Sequence, residues 1–203
     1  MKEWLDVVIL PSDSTSMITG EGIDERTMER LSGSSYPPEY RSGIGKEGVA
    51  ALKKFVEEGG TLVTFNSSCA FAIESFGLRI RNVLDKVPSK EFFCPGSTLR
   101  ARVDINHPLG YGMPEESLVL FWDSPAFDIL PSSFNDRYEV VVSYPESNTL
   151  RSGWLIGEEK IRQKAAMVAT PVGKGKVVLI GFKVQHRAQT HGTFKLLFNT
   201  LLG

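Results

Sequence analysis

Three nearly continuous apolar runs constrain this chain more than any other feature. They are Trp4-Leu5-Asp6-Val7-Val8-Ile9-Leu10, Thr61-Leu62-Val63-Thr64-Phe65 and Lys176-Val177-Val178-Leu179-Ile180-Gly181-Phe182, all rich in β-branched residues. A strand without polar alternation has both faces covered, as in a parallel sheet lying under helices. Pro11 stops the first run, and the second leads straight into Asn66-Ser67-Ser68. These are the habits of strands that hand over to loops or helices at one edge of a sheet.

The segments between supply the cover. Residues 46–58 place Val49, Leu52, Phe55 and Val56 on one helical face, and Gly59-Gly60 provides the left-handed exit. Asn66-Ser67-Ser68 are N-cap types ahead of a helix over 70–76 closed by Gly77, and a last helix over 193–202 presents Phe194, Leu197, Phe198 and Leu201. Residues 12–45 are rich in Ser, Gly and Pro and read as a long loop with one short helix over 24–31. Short strands at 99–104, 118–122 and 138–143, separated by Pro-rich turns, form a β-rich insertion over about 97–143. Residues 165–170 and 176–182 flank a hairpin at Pro171-Val172-Gly173-Lys174-Gly175. The sum is one α/β domain over 1–203 with a mostly parallel sheet flanked by helices.

Composition then narrows the functions. Of 203 residues, 23 are Lys or Arg and 24 are Asp or Glu, a net charge of -1 that leaves no basic excess for a phosphate backbone. No nucleic-acid partner is expected. No apolar run approaches the ~18–20 residues of a membrane span, and Met1 to Asp6 lacks the clean apolar stretch of a signal peptide. Cys69 and Cys94 offer no C-x-x-C spacing and read as two separate buried thiols, the alternative being one bridge between them in an oxidising compartment.

In a sheet of this kind ligands bind beyond the carboxyl ends of the strands, which directs attention to the turns after Leu10, Phe65 and Phe182. A nucleophile elbow needs small residues around its nucleophile, yet Thr64-Phe65-Asn66-Ser67-Ser68-Cys69 contains no G-x-S-x-G or G-x-C-x-G. Cys69 falls in the first helical turn with no basic partner in its motif and reads as structural. His186 and His191 are five apart, wrong for one helical face, and His107 has no acidic ligand in its motif, so no metal site is assigned. His186 and Arg187 read more plainly as helix-entry residues. Gly173-Lys174-Gly175-Lys176 lacks phosphate-loop spacing and opens a strand.

The segment from Gly59-Gly60 to Phe76-Gly77 and the ending from Gly181-Phe182 to Asn199 resemble class I glutamine-amidotransferase-like domains. More narrowly, the chain is similar to the amidotransferase-like domain that follows the catalytic domain in some bacterial zinc carboxypeptidase-like proteins. Tyr36-Pro37-Pro38-Glu39-Tyr40-Arg41, Lys90 to Ser97, Ser152-Gly153-Trp154-Leu155 and Gln185 to Gly192 carry that likeness. It implies a flavodoxin-like fold. It also implies that Asn66 stands where active members have cysteine, Gln185 where they have histidine and Arg187 where they have glutamate. An amide cannot replace a thiolate, nor Arg the carboxylate that orients an imidazole.

The resemblance therefore implies no catalytic residue here, and a degenerate pocket of Asn66, Ser67, Ser68, Cys69, Gln185, His186 and Arg187. The carboxypeptidase motif H-x-x-E is absent, so zinc is expected only on an upstream carboxypeptidase-like domain, and no cofactor in this chain. An exported parent would place it in the periplasm or outside the cell. The expected function is a non-catalytic accessory module that binds a small molecule, a peptide or its neighbouring domain. The alternative is a thiol or serine hydrolase using Cys69 or Ser67/Ser68 with His186.

The family's usual first βα unit has no counterpart before Asp6. The 4–10 strand is therefore expected to need cover, either from the insertion or from a second copy in a homodimer.

Overall fold

The computed structural model describes residues 4–23, 26–27, 43–131 and 137–202. Ten strands among these residues join one sheet. Next to one edge lies β2 (Thr61–Phe65), with the edge strand β1 (Val7–Leu10) parallel on one side and β10 (Gly175–Ile180) parallel on the other. Beyond β10 the pairing turns antiparallel through β9 (Ala165–Val172), β7 (Glu139–Ser143), β4 (Pro95–Val103) and β5 (Glu116–Trp122). Short strands β3 (Ile80–Asn82), β6 (Phe127–Ile129) and β8 (Leu150–Ser152) attach alongside.

The expectation of a mostly parallel sheet is thus corrected, because parallel pairing is confined to three strands. The physical reason lies in β9. Residues 165–170 are all buried although the strand is antiparallel to both principal neighbours. Coverage of both faces, not strand direction, makes a run continuously apolar.

Successive side chains of the central strands feed opposite cores, as the two-residue period requires. Leu62, Val177, Leu179 and Val168 point into one core, covered by Leu52, Phe55 and Val56 of α2 (Gly45–Glu57) and by Cys69, Phe71 and Ala72 of α3 (Ser68–Ser75). Val63, Val178, Ile180, Met167 and Ala169 point into the other, which Leu99, Val119, Phe121, Ile161 and Leu196 complete. The hairpin between β9 and β10 turns at Gly173, whose φ of 60° a glycine adopts freely.

Several local expectations need correcting. β1 begins at Val7, with Trp4 and Leu5 exposed, and it is an edge strand whose Val7, Val8 and Leu10 are only partly buried and whose Ile9 is open, so its two faces are not fully covered. The insertion does not fold over that edge, since β4, β5 and β7 lie on the far side of β10 and β9. A short helix α1 (Thr15–Thr19) follows β1, with Ser14 accepting from the Met17 N–H as N-cap. The helix expected over 24–31 lies outside the described residues except for Arg26 and Thr27, and Tyr36 to Arg41 lie wholly outside them.

α4 (Phe194–Leu202) buries Leu196 and Thr200 and leaves Phe198 and Leu201 exposed. Its rotation is fixed by Asn199, whose Nδ2 donates to the carbonyls of Leu109 and Tyr111 at 2.9 and 3.0 Å. His107 Nε2 lies 2.9 Å from the carboxylate of Glu139, a partner outside its motif.

Candidate functional site

β1, β2 and β10 run parallel and adjacent, so the turns that follow them open on one edge of the sheet. The turn after β2 is a sharp elbow. Asn66 holds φ at 52°, a left-handed conformation that asparagine tolerates better than most side chains, and α3 begins two residues later.

Asn66 is only 1% exposed, and its groups are fully engaged. The backbone N–H donates to the Ile180 carbonyl at 2.7 Å. The side-chain Nδ2 faces Ser124 Oγ at 2.9 Å and the carbonyls of Trp122 and Gly181 at 3.3 Å each. Oδ1 accepts from the Ser67 N–H at 3.0 Å and from Ser12 Oγ at 3.3 Å. One carboxamide ties together the turns after β1, β2, β5 and β10.

Two of the neighbouring nucleophile candidates, Ser68 and Cys69, are committed elsewhere, while Ser67 is exposed. Ser68 Oγ reaches the carbonyls of Phe65 and Leu10 at 2.8 and 3.1 Å and also takes the Phe65 N–H, which leaves it buried and saturated. Cys69 lies under the elbow with Thr64 Oγ1 at 3.4 Å and the Ile180 carbonyl at 3.6 Å. Burial pushes its thiol up to about 12, with the Thr64 hydrogen bond opposing only part of that rise. Cys94 is also buried, and both cysteines are free thiols.

Native protein is therefore expected to leave Cys69 unmodified by iodoacetamide at pH 8, with labelling only on unfolding. Mass spectrometry of the labelled peptides checks this, and rapid native modification of Cys69 would contradict the buried thiol.

Gln185 and Arg187 are exposed, on a loop in which Arg187 and Ala188 both have positive φ. Thr190 Oγ1 closes that loop by donating to the Val184 carbonyl and accepting from the His186 N–H. The His186 ring packs on Trp122 with centroids 5.5 Å apart. It makes no hydrogen bond with Ser67, Ser68 or Cys69, so the thiol or serine hydrolase built on His186 is not assembled. The helix-entry reading of His186 and Arg187 is corrected too, since the helical turn starts only at His191.

The sheet edge brings together residues that spacing did not single out. Ser67 Oγ lies 2.8 Å from Ser12 Oγ, and Lys183 Nζ approaches the same Ser12 oxygen at 3.5 Å. Asp123, with φ at 46°, stands near Lys183. Ser67 and Asp123 also line a cleft of about 1140 Å³ whose walls include Glu74, Arg81, Phe92, Phe93 and Trp122. Trp122 is 43% exposed, a large ring surface presented beside the elbow.

A cytoplasmic protein of Salmonella typhimurium superposes with a TM-score of 0.54 at 11% identity, over 97% of this chain and 70% of its own. A Thermoplasma acidophilum protein described as part of a GMP synthase gives 0.50 at 12% identity, over 97% and 71%. The fold is amidotransferase-like. A β-galactosidase of Bacillus circulans gives 0.50 at 13% identity over 96% of this chain, which spans 22% of that enzyme. No protein-family model and no curated protein matches the sequence. At such identities the likeness speaks for the fold alone, and the chemistry has to come from the residues described above.

Proposed function

We propose that this chain is a non-catalytic amidotransferase-like module that binds a small ligand in the cleft beside Asn66. The observation that carries the reading is the state of Asn66 itself. The elbow that would offer a nucleophile instead holds a buried carboxamide whose hydrogen-bonding groups are spent on structure. A carboxamide is not a nucleophile at neutral pH, and neither Ser68 nor Cys69 is free to replace it. What remains is a rigid edge, an exposed Trp122 and a large cleft with charged walls, which suit binding.

The proposal extends to a role beside an upstream carboxypeptidase-like domain in an exported protein, a part that rests on the sequence resemblance alone. Zinc would then belong to that neighbour.

Two measurements test the reading. Ammonia release from glutamine should stay at the buffer background, and robust turnover would overturn it. A thermal-shift screen with sugars, amino acids and short peptides should find a stabilising ligand, since one present at a hundred times its Kd adds about 2.7 kcal/mol. Trp122→Ala should abolish that shift. A broad screen in which nothing stabilises the protein would leave the cleft without a role and reject the binding function.

A further inference from the structure

The donors and acceptors at the sheet edge do not balance. Ser12 Oγ sends its proton towards Asn66 Oδ1 and receives Lys183 Nζ. Ser67 occupies the N-cap position of α3 yet makes no side-chain bond to the helix, turning instead to Ser12. Its backbone is already helical, with φ -64° and ψ -27°, so the hydroxyl lies outside the extended geometry that capping uses and meets Ser12 instead. Lys183 is partly buried, and among the described residues no carboxylate lies within ion-pair distance of its ammonium. Among the described residues the ammonium hydrogen-bonds to Ser12 Oγ alone, which leaves N–H donors for an anion, and the Ser67 O–H, held only by another hydroxyl, can turn towards it. Desolvation lowers the Lys183 pKa, and Asp123 partly restores it, which is the behaviour of a cation short of a partner.

We propose that Lys183, Ser12 and Ser67 form an oxyanion-binding corner at the mouth of the cleft, which takes the phosphate or carboxylate end of the ligand. The turns after three adjacent parallel strands each contribute one group. Ser67 is shared with the cleft, which lets the rest of the ligand lie along Trp122. The N-terminus of α3 adds its partial positive charge to the same corner. Two carboxylates stand nearby. Asp13 Oδ1 accepts from the Ser14 N–H at 2.8 Å. Asp123 faces the cleft, keeps Lys183 charged and weakens an incoming anion, so it favours release over very tight binding.

This inference rests on the ligand-binding reading, and the experiment separates the two. Inorganic phosphate and acetate are titrated in turn into the full chain at constant ionic strength, followed by amide NMR shifts and calorimetry. At least one should bind saturably, with the largest shifts at Ser12, Ser67 and Lys183, and the preferred anion identifies the end group. Lys183→Met should weaken binding by about tenfold or more, while Lys183→Arg should keep it within about threefold. Asp123→Asn should tighten it, an effect that a merely structural lysine would not produce. Lys174→Met, in the distant hairpin, should change nothing.

Failure of both anions to saturate, or unchanged binding in Lys183→Met, would overturn the corner. If neutral ligands then still gave Trp122-dependent stabilisation, the binding function would survive without it.

Discussion

Asn66→Asp is expected to cost about 3–5 kcal/mol of folding stability, the range for a buried charge left without compensation. The substitution keeps size and shape and exchanges only the Nδ2 donor for an oxygen. That donor faces Ser124 Oγ and the carbonyls of Trp122 and Gly181, so the change sets a carboxylate against two carbonyl oxygens in a site with almost no solvent contact. Asn66→Ala should cost less, about 1–3 kcal/mol, because it leaves the same partners unsatisfied without adding a charge. It also places alanine at a φ of 52°, which disfavours any side chain with a plain Cβ. Asn66→Gly relieves that strain and loses only the amide, so it should be the mildest of the three. Urea unfolding curves would read the order directly. If Asn66→Asp were as stable as the parent, the carboxamide would not be the tie between the four turns.

That prediction shows where sequence reading succeeded and where it ran out. The elbow was legible, because a buried strand, three N-cap residues and a helix follow one another over residues 61–76. The partners of Asn66 were not, since Trp122, Ser124 and Gly181 lie 56 to 115 residues away and two belong to a segment read only as insertion. Lys183 and Ser12 share that fate. Each is an ordinary polar residue after a strand, and only the pairing order β1-β2-β10 brings them together.

The same limit explains the sheet. Burial on both faces was readable in 61–65 and 176–182, but burial carries no sign for strand direction. In α4 an apolar stripe was read at helical spacing, yet Thr200 is buried while Phe198 faces out. The Asn199 amide reaches the Leu109 and Tyr111 carbonyls, and those bonds set the rotation of the helix. Hydropathy alone ranks those side chains the other way.

Gly60 illustrates a residue read correctly in place but only partly in purpose, and it supports a second large prediction. As the exit from α2 it shares the turn with Gly59, whose φ of 115° makes it the residue that needs glycine's freedom. Gly60 is needed for space. A Cβ built there would stand 2.3 Å from the Phe55 ring, well inside contact distance, and Phe55 is a fully buried wedge between α2 and the sheet. Gly60→Ala therefore forces the ring to move within a closed core and should cost about 1–3 kcal/mol. Phe55→Ala removes the ring and opens a cavity, at about 3–5 kcal/mol. The two losses should not add. Once the ring is gone the alanine methyl has room, so the double variant should be about as stable as Phe55→Ala alone, giving a coupling of the order of the Gly60→Ala cost. Chemical denaturation of the four proteins closes the cycle, and strict additivity would mean that Gly60 serves backbone conformation and not the packing of Phe55.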